Sequence, residues 1–427
     1  MPEGVSIKGQ VLLNGRESKQ RGILLAGESI VVLGAGLAGA TTVTELREQG
    51  FAGPITLIGD ESELPYERPP LSKGFLQGNE EPDGFTVHDA AWYLEHDVTL
   101  KLGAAAISVE SAKRQVLLDD GSAVNYDRLV LATGSRANLG GDAPLAGYDL
   151  PGVHTLRKLS DAKSLRAQIT DGAQVSVVGS GWIGMEVAAS ARQLGARVTV
   201  YSSSKVPLAS VFGERFGQHL LELHQRHGVD VRPAKVQGIE QVDGHLQVLS
   251  EAGSSRADVV LLAIGAVPNV QLAETAGLEV DRGVLVDAAL RSSDPRILAI
   301  GDIAQATHSV LGRRLRVEHW DNAIRQGKLA AATLMGKEQS YDWWPYFFTD
   351  QFDLGMEYVG HSAPEDETVL RGDAESGEFL MFWQNGQRIT AAANVNIWDV
   401  NDDLRELVGR EIPAERLADP GIEITDL

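Results

Sequence analysis

The 427-residue chain contains no cysteine. That absence removes disulfide scaffolds, thiolate metal sites and every thiol or sulfenate mechanism at once, so any redox chemistry has to be carried by a cofactor. Long hydrophobic runs are missing too: no segment approaches the ~18 apolar residues of a membrane helix. The opening residues MPEGVSIKGQVLLNGRESKQ have neither the basic start, the apolar stretch nor the cleavage site of a secretory signal. No membrane association and a cytoplasmic location are therefore expected. Basic residues are in deficit, 38 Lys and Arg against 59 Asp and Glu, for a formal net charge of −21. A polyanion of this kind meets an unfavourable field at a phosphate backbone, so nucleic acid is not an expected partner.

What remains is ordinary globular material, 43% hydrophobic and 23% charged, with 46 glycines. Length alone suggests about three domains. Charge is unevenly spread: residues 336–427 hold 6 Lys and Arg against 20 Asp and Glu, a composition shift that marks a separate domain.

The first 28 residues show no periodicity. An apolar strand at 29–33 then runs into Gly34, Gly36 and Gly39, a helical pattern ending at Gly50, and a second strand at 55–60. About 145 residues later the plan returns: Val175 to Val178, then Gly179, Gly181 and Gly184, a helix ending at Gly195, and a strand at 198–201. Each copy is followed by an apolar strand that closes on glycine, LVLATG ending at Gly134 and VVLLAIG ending at Gly265. The repeat predicts two related nucleotide-binding domains. The first resumes after the second, through VLVDAALRSSDPRILAIGD and a helix from Asn322, and an α+β domain follows from 336. The expected division is 1–28 as an N-terminal extension, 29–150 with 265–335, 151–264, and 336–427.

A GxGxxG turn between strand and helix aims the unpaired N–H groups of the helix start, with their partial positive charge, at a pyrophosphate. A single copy can be no more than a tight turn; two copies in the same strand-turn-helix setting are specific. The acid expected ~20 residues on, which binds ribose hydroxyls, is Asp60 or Glu61 in the first copy, with Glu61 preferred. In the second copy Ser202 stands there, and no carboxylate follows before Glu214. Ser202, Ser203 and the Lys205 ammonium can bond a 2′-phosphate that an acid would repel, which favours NADPH over NADH. The alternative is a solvated loop that leaves both coenzymes acceptable.

From this point the motifs become specific to a family. ELPYERPPLSKGFL (63–76), LVLATGS, GSGWIGMEVAA, LLAIGAVPN, ILAIGDIA and RVEHWDNA resemble, in order and spacing, the ferredoxin, rubredoxin and putidaredoxin reductase group, which is itself similar to the apoptosis-inducing factor family. The resemblance covers about 29–336 and weakens through PYFFTDQF and NVNIWDV. It implies an α/β fold of the glutathione-reductase type, two Rossmann-like dinucleotide-binding domains plus a C-terminal α+β domain, with FAD on the first glycine turn and NADPH or NADH on the second.

It also implies roles. Lys73, on a support that the two prolines of ERPPLSK are expected to hold extended, would lie near flavin N5 and pair with Glu186, with Arg68 in the same cofactor-side segment. Thr133, Gly134, Gly265 and Gly301 would line the cofactor with backbone, and Asp302 would hold the ribitol. Glu318, His319 and Trp320 would lie against the isoalloxazine on the side of the electron acceptor. Blander readings stand beside these: a surface lysine, a plain helix acid, Asp302 as the cap of a helix beginning at Ile303, Trp320 as core, and the aromatics at 346–348 as core. His219, His224 and His227 do not share one helical face, so no metal site is expected. Arg313, Arg314 and Arg316 could dock an acidic iron–sulfur protein or belong to a solvated hairpin.

The function implied is hydride transfer from NAD(P)H to flavin, then single electrons to a ferredoxin-type carrier, with Lys73, Glu186 and Trp320 as the catalytic residues. The alternatives are an NAD(P)H dehydrogenase or oxidase acting on quinone or dioxygen, and a redox sensor like the apoptosis-inducing factor. The sequence leaves monomer and homodimer, the physiological acceptor and the role of 1–28 open.

Overall fold

The computed structural model describes residues 27–141 and 143–427; most of the N-terminal extension lies outside them. The apolar runs flanking the glycine turns become the centres of two parallel five-stranded sheets. In the first, the order is Ile297–Ala299, Arg128–Leu131, Ile30–Leu33, Ile55–Ile58, Val98–Lys101, with Ile30 beside both Ile55 and Arg128. In the second it is Asp230–Pro233, Arg197–Ser202, Gln174–Val178, Val259–Leu262, Val153–His154, with Val175 beside Val198 and Val259. All four residues of IVVL are buried, which explains why the run does not alternate: a parallel strand covered on both faces needs apolar groups on both. Each such side chain contributes ~1.5–3 kcal/mol on burial.

Helix α1 (Leu37–Glu48) follows the first turn and helix α2 (Trp182–Gln193) the second. They stop before Gly50 and Gly195, whose φ values of +83° and +90° suit glycine. Helix α3 (Ala209–Arg226) packs its apolar side on the C-terminal sheet, and helix α4 (Trp320–Leu334) packs on α1. Helix α4 begins two residues before the position expected from the sequence, because the His319 ring caps it and accepts from the Asp321 N–H at 3.3 Å. The strand Ile297–Ala299 sits at the edge of the first sheet and delivers Gly301 and Asp302 to its carboxyl end. Its sequence neighbour Val284–Val286 joins a separate small sheet with Ala304–His308.

After residue 336 the chain forms an antiparallel five-stranded sheet in the order Tyr346–Gln351, Leu354–Gly360, Arg388–Val395, Glu378–Asn385, Glu367–Asp373. The mixed architecture is thus built on three five-stranded sheets, two parallel dinucleotide-binding ones and a C-terminal antiparallel one, with smaller two- and three-stranded sheets beside them. Among the described residues, no helix is long and apolar enough to cross a membrane.

Candidate functional site

The two glycine turns are near copies at atomic scale. Gly34 and Gly179 both have φ of +112°, and a Cβ there would lie 2.1 Å from the Ala132 carbonyl oxygen and 2.2 Å from that of Ala263. A Cβ on Gly39 or Gly184 would meet the Gly34 or Gly179 oxygen at 2.1 and 2.2 Å. The glycines are therefore demanded by backbone-on-backbone contact. Gly36 and Gly181 start the helices with no side-chain cap, so the first-turn N–H groups are free to bind an anion. This donor set fits the pyrophosphate of a dinucleotide in each turn.

One continuous cavity joins the turns. Its walls include Gly34, Gly36, Asp60, Glu61, Arg68, Lys73, Thr133, Gly134, Gly181, Glu186, Gly265, Gly301, Asp302, Glu318, His319 and Trp320. Gly39, Gly179 and Gly184 support the turns from behind. Ser202, Ser203 and Lys205 lie outside the cavity, at the end of their strand: Ser202 is buried, with its hydroxyl 2.7 Å from Ser180 Oγ and donating to the Ser204 carbonyl at 2.8 Å, while Ser203 and Lys205 are exposed.

Lys73 Nζ lies 2.8 Å from Glu186 Oε1, and both side chains are largely buried. The glutamate also accepts from Ser72 Oγ at 2.6 Å and from Thr349 Oγ1 at 2.7 Å. The support for Lys73 is not the extended one expected from the prolines. Pro69–Ser72 is a 3-10 turn, since the fixed φ of proline and its missing N–H suit the opening positions of a helical turn. The Lys73 ammonium also stands 5.3 Å over the Phe348 ring.

Asp302 caps no helix. It belongs to the short turn Gly301–Ile303, and a strand follows. Its carboxylate accepts from Ser135 Oγ at 2.7 Å and from Arg157 Nη2 at 2.5 Å. Glu61 takes Arg68 Nη2 at 2.9 Å and the Tyr66 hydroxyl at 2.6 Å, while the more exposed Asp60 pairs with Lys158 at 2.6 Å. Arg68 also donates to the Arg157 carbonyl.

On the opposite wall, desolvation first and the Lys73 ammonium second push the His319 imidazole down to about 3, against a weaker pull from Asp302. It is neutral at neutral pH. Trp320 donates its indole N–H to Glu67 at 2.9 Å and meets the edge of Phe348. Phe347 and Phe348 line the cavity, whereas the Tyr346 hydroxyl donates to Glu357 at 2.6 Å.

Sequence reasoning passed over Ser72, Ser135, Arg157, Trp182 and Thr349. Trp182 was visible as the large residue inside the second glycine turn; it stacks on Phe347 at 6.0 Å with an interplanar angle of 3°. The others carry no local signal. Of the arginine strand, Arg316 turns inward onto Glu318 and the Asp302 carbonyl, Arg313 donates to the His361 ring at 3.0 Å, and Arg314 is exposed. His224 bonds Gln351 while His227 stacks on Phe352.

Comparison with known proteins gives concordant findings. The family described as pyridine nucleotide-disulphide oxidoreductase matches residues 28–327, and a reductase C-terminal family matches 346–427. The ferredoxin–NAD(+) reductase component of the anthranilate 1,2-dioxygenase system of Burkholderia cepacia is 38% identical, over 93% of this chain and 98% of that protein. A ferredoxin–NAD(P)(+) reductase of a Sphingomonas species is 35% identical, over 86% and 89%. Among solved structures, the covalent putidaredoxin reductase–putidaredoxin complex superposes with a TM-score of 0.88 at 32% identity, covering 94% of this chain and 98% of the reductase chain.

Proposed function

The chain belongs to the pyridine nucleotide-disulphide oxidoreductase family, and from that premise we propose that it is a FAD-dependent NAD(P)H oxidoreductase that reduces a ferredoxin-type iron–sulfur carrier serving an oxygenase. The observation that carries the reading is the buried Lys73–Glu186 pair at the junction of two dinucleotide cradles, in a protein without a single cysteine. Despite the family's description, a disulfide relay is impossible here.

A flavin held here would supply the capacity to take a hydride from a nicotinamide and to give electrons up singly. The protein's part is binding and orientation. In this reading Gly34, Gly36, Gly39 and the carboxylates Asp60 and Glu61 hold FAD together with Arg68, Thr133, Gly134, Gly265, Gly301 and Asp302. Gly179, Gly181 and Gly184 receive the coenzyme. Lys73, fixed by Glu186, donates a hydrogen bond at the reacting face. Glu318, neutral His319 and Trp320 form the wall through which electrons leave, and the exposed Arg314 offers a positive charge to an acidic partner. Residues 29–150 with 265–335, 151–264 and 336–427 act as the FAD, coenzyme and C-terminal units, in the cytoplasm. Four relatives of this kind are named for NAD(+) and one for NAD(P)(+), so both coenzymes are taken as donors, NADPH being admitted by the absence of an acid near Ser202.

Anaerobic mixing with NADH or NADPH should bleach the yellow protein, and cytochrome c reduction should depend on added ferredoxin. Rapid flavin reduction with no stimulation by ferredoxin would transfer the protein to the quinone or dioxygen reductases. Very slow reduction with a persistent charge-transfer band would make it a sensor.

A further inference from the structure

A file of buried polar side chains leads from Glu186 away from the cavity. Thr349 Oγ1 donates to Glu186 Oε1 at 2.7 Å, Gln351 Nε2 donates to Thr349 Oγ1 at 3.0 Å, and His224 Nε2 lies 2.8 Å from Gln351 Oε1. Thr349 and Gln351 are on one face of the strand Tyr346–Gln351 by its period of two, and His224 is on α3. None of the three exceeds 1% exposure.

The chemistry of the groups fixes the direction of every bond. An ionised carboxylate only accepts, so the Thr349 hydroxyl must donate to it. That hydroxyl therefore accepts from Gln351, which must present its amide NH₂ and turn its oxygen to His224. His224 must then carry its ring hydrogen on Nε2, and burial, which holds the imidazole down at about 4, leaves it only that one hydrogen. Its Nδ1 has no partner among the described residues, so Gln351 is the contact that uses its polarity. All dipoles point toward Glu186, and an oriented buried chain of this kind strengthens along its length. Apolar side chains would fill the same space without the cost of desolvation.

We propose that Thr349 and Gln351 are positioning residues for hydride transfer: anchored by His224, they hold the Glu186 carboxylate, and through it Lys73, in the reactive geometry. The C-terminal sheet thereby takes part in the step by which coenzyme reduces the enzyme. The inference rests on the function proposed above.

The test is anaerobic stopped-flow reduction of the full-length holoenzyme by NADH. Thr349→Val and Gln351→Leu should each lower the limiting reduction rate about tenfold, the effect of losing one oriented hydrogen bond in a buried site, with the Kd for NADH and the FAD content unchanged. Thr349→Ser, which restores the hydroxyl, should recover the rate lost in Thr349→Val. Gln351→Met, of similar length but with no N–H or O–H, cannot donate to Thr349 and should be as slow as Gln351→Leu. Parental rates in Thr349→Val and Gln351→Leu, no recovery in Thr349→Ser, or loss of FAD as the main effect would each overturn the proposal. A parent protein that NADH fails to reduce would sink the proposed function instead.

Discussion

The two glycine turns share a backbone but not a task, and the divergence is sharpest seven residues after the first glycine of each. Thr41 and Glu186 occupy that same place on α1 and α2, and both are buried. Behind Thr41 stands Gly327 of α4, so close that a Cβ there would come within 2.8 Å of the threonine Cβ. Behind Glu186 stand the Lys73 ammonium, Ser72 and Thr349. The first helix is thus locked by close packing, the second by a charged, hydrogen-bonded cluster. A βαβ unit supplies a pyrophosphate cradle wherever it occurs; what the cradle does is set by what faces the next turn of its helix. The first is suited to a resident cofactor, the second to a coenzyme that arrives, reacts and leaves.

The largest effects should come from breaking the shared part. Gly34→Ala forces a Cβ against the Ala132 oxygen at an unfavourable φ, and should destabilise the turn by about 3 kcal/mol or more and yield colourless protein. Gly179→Ala carries the same local strain against Ala263, yet should remain yellow and fail to be reduced by NADH. Absorbance at purification and anaerobic titration separate the two, and identical phenotypes would erase the division of labour. Next in size is Lys73→Ala, which should slow flavin reduction about a hundredfold while FAD is retained. Unchanged reduction rates would remove Lys73 from the mechanism.

The comparison also shows what could be read in advance. The turns, the apolar strands beside them and the glycine helix stops are written in local spacing, because each glycine answers to a contact within its own βαβ unit or the strand next to it. Lys73, Glu186 and Asp302 were legible through motif resemblance. Thr349, Gln351 and His224 were not: Thr349 meets Glu186 across 163 residues and Gln351 meets His224 across 127, and they obey no period beyond that of their own strand or helix. Ser202 was legible as a missing acid, but the bond its hydroxyl shares with that of Ser180 was not. The proline support was misjudged because two consecutive prolines suit a 3-10 turn as well as an extended chain.

Acid should strike the second unit. His224 is neutral in the folded protein, pushed down to about 4 from 6.5 chiefly by burial, with the neighbouring His227 adding to the shift and the Gln351 contact opposing it. An unfolded chain takes up a proton on this residue below pH 6.5 and the folded one does not until pH nears 4. Stability from this residue is therefore intact above 6.5 and falls by about 1.4 kcal/mol per pH unit between those limits. His224→Gln should flatten that part of the profile in thermal denaturation of the holoenzyme. An unaltered slope would place the acid-sensitive group elsewhere.

The smallest effect concerns the one stretch where the second copy lacks the carboxylates of the first. Lys205 is exposed beyond the strand that ends at Ser202, so any bond it makes to a 2′-phosphate is screened by water and salt and is worth ~0.2–1 kcal/mol. Lys205→Ala should then raise KM for NADPH about threefold, more at low ionic strength than at high, and leave KM for NADH as it was. Equal changes for both coenzymes would mean that Lys205 acts on the shared pyrophosphate half of the ligand. No change for either would return the serine-rich loop to the role of solvated surface, and leave discrimination between coenzymes to the paired hydroxyls of Ser180 and the buried Ser202.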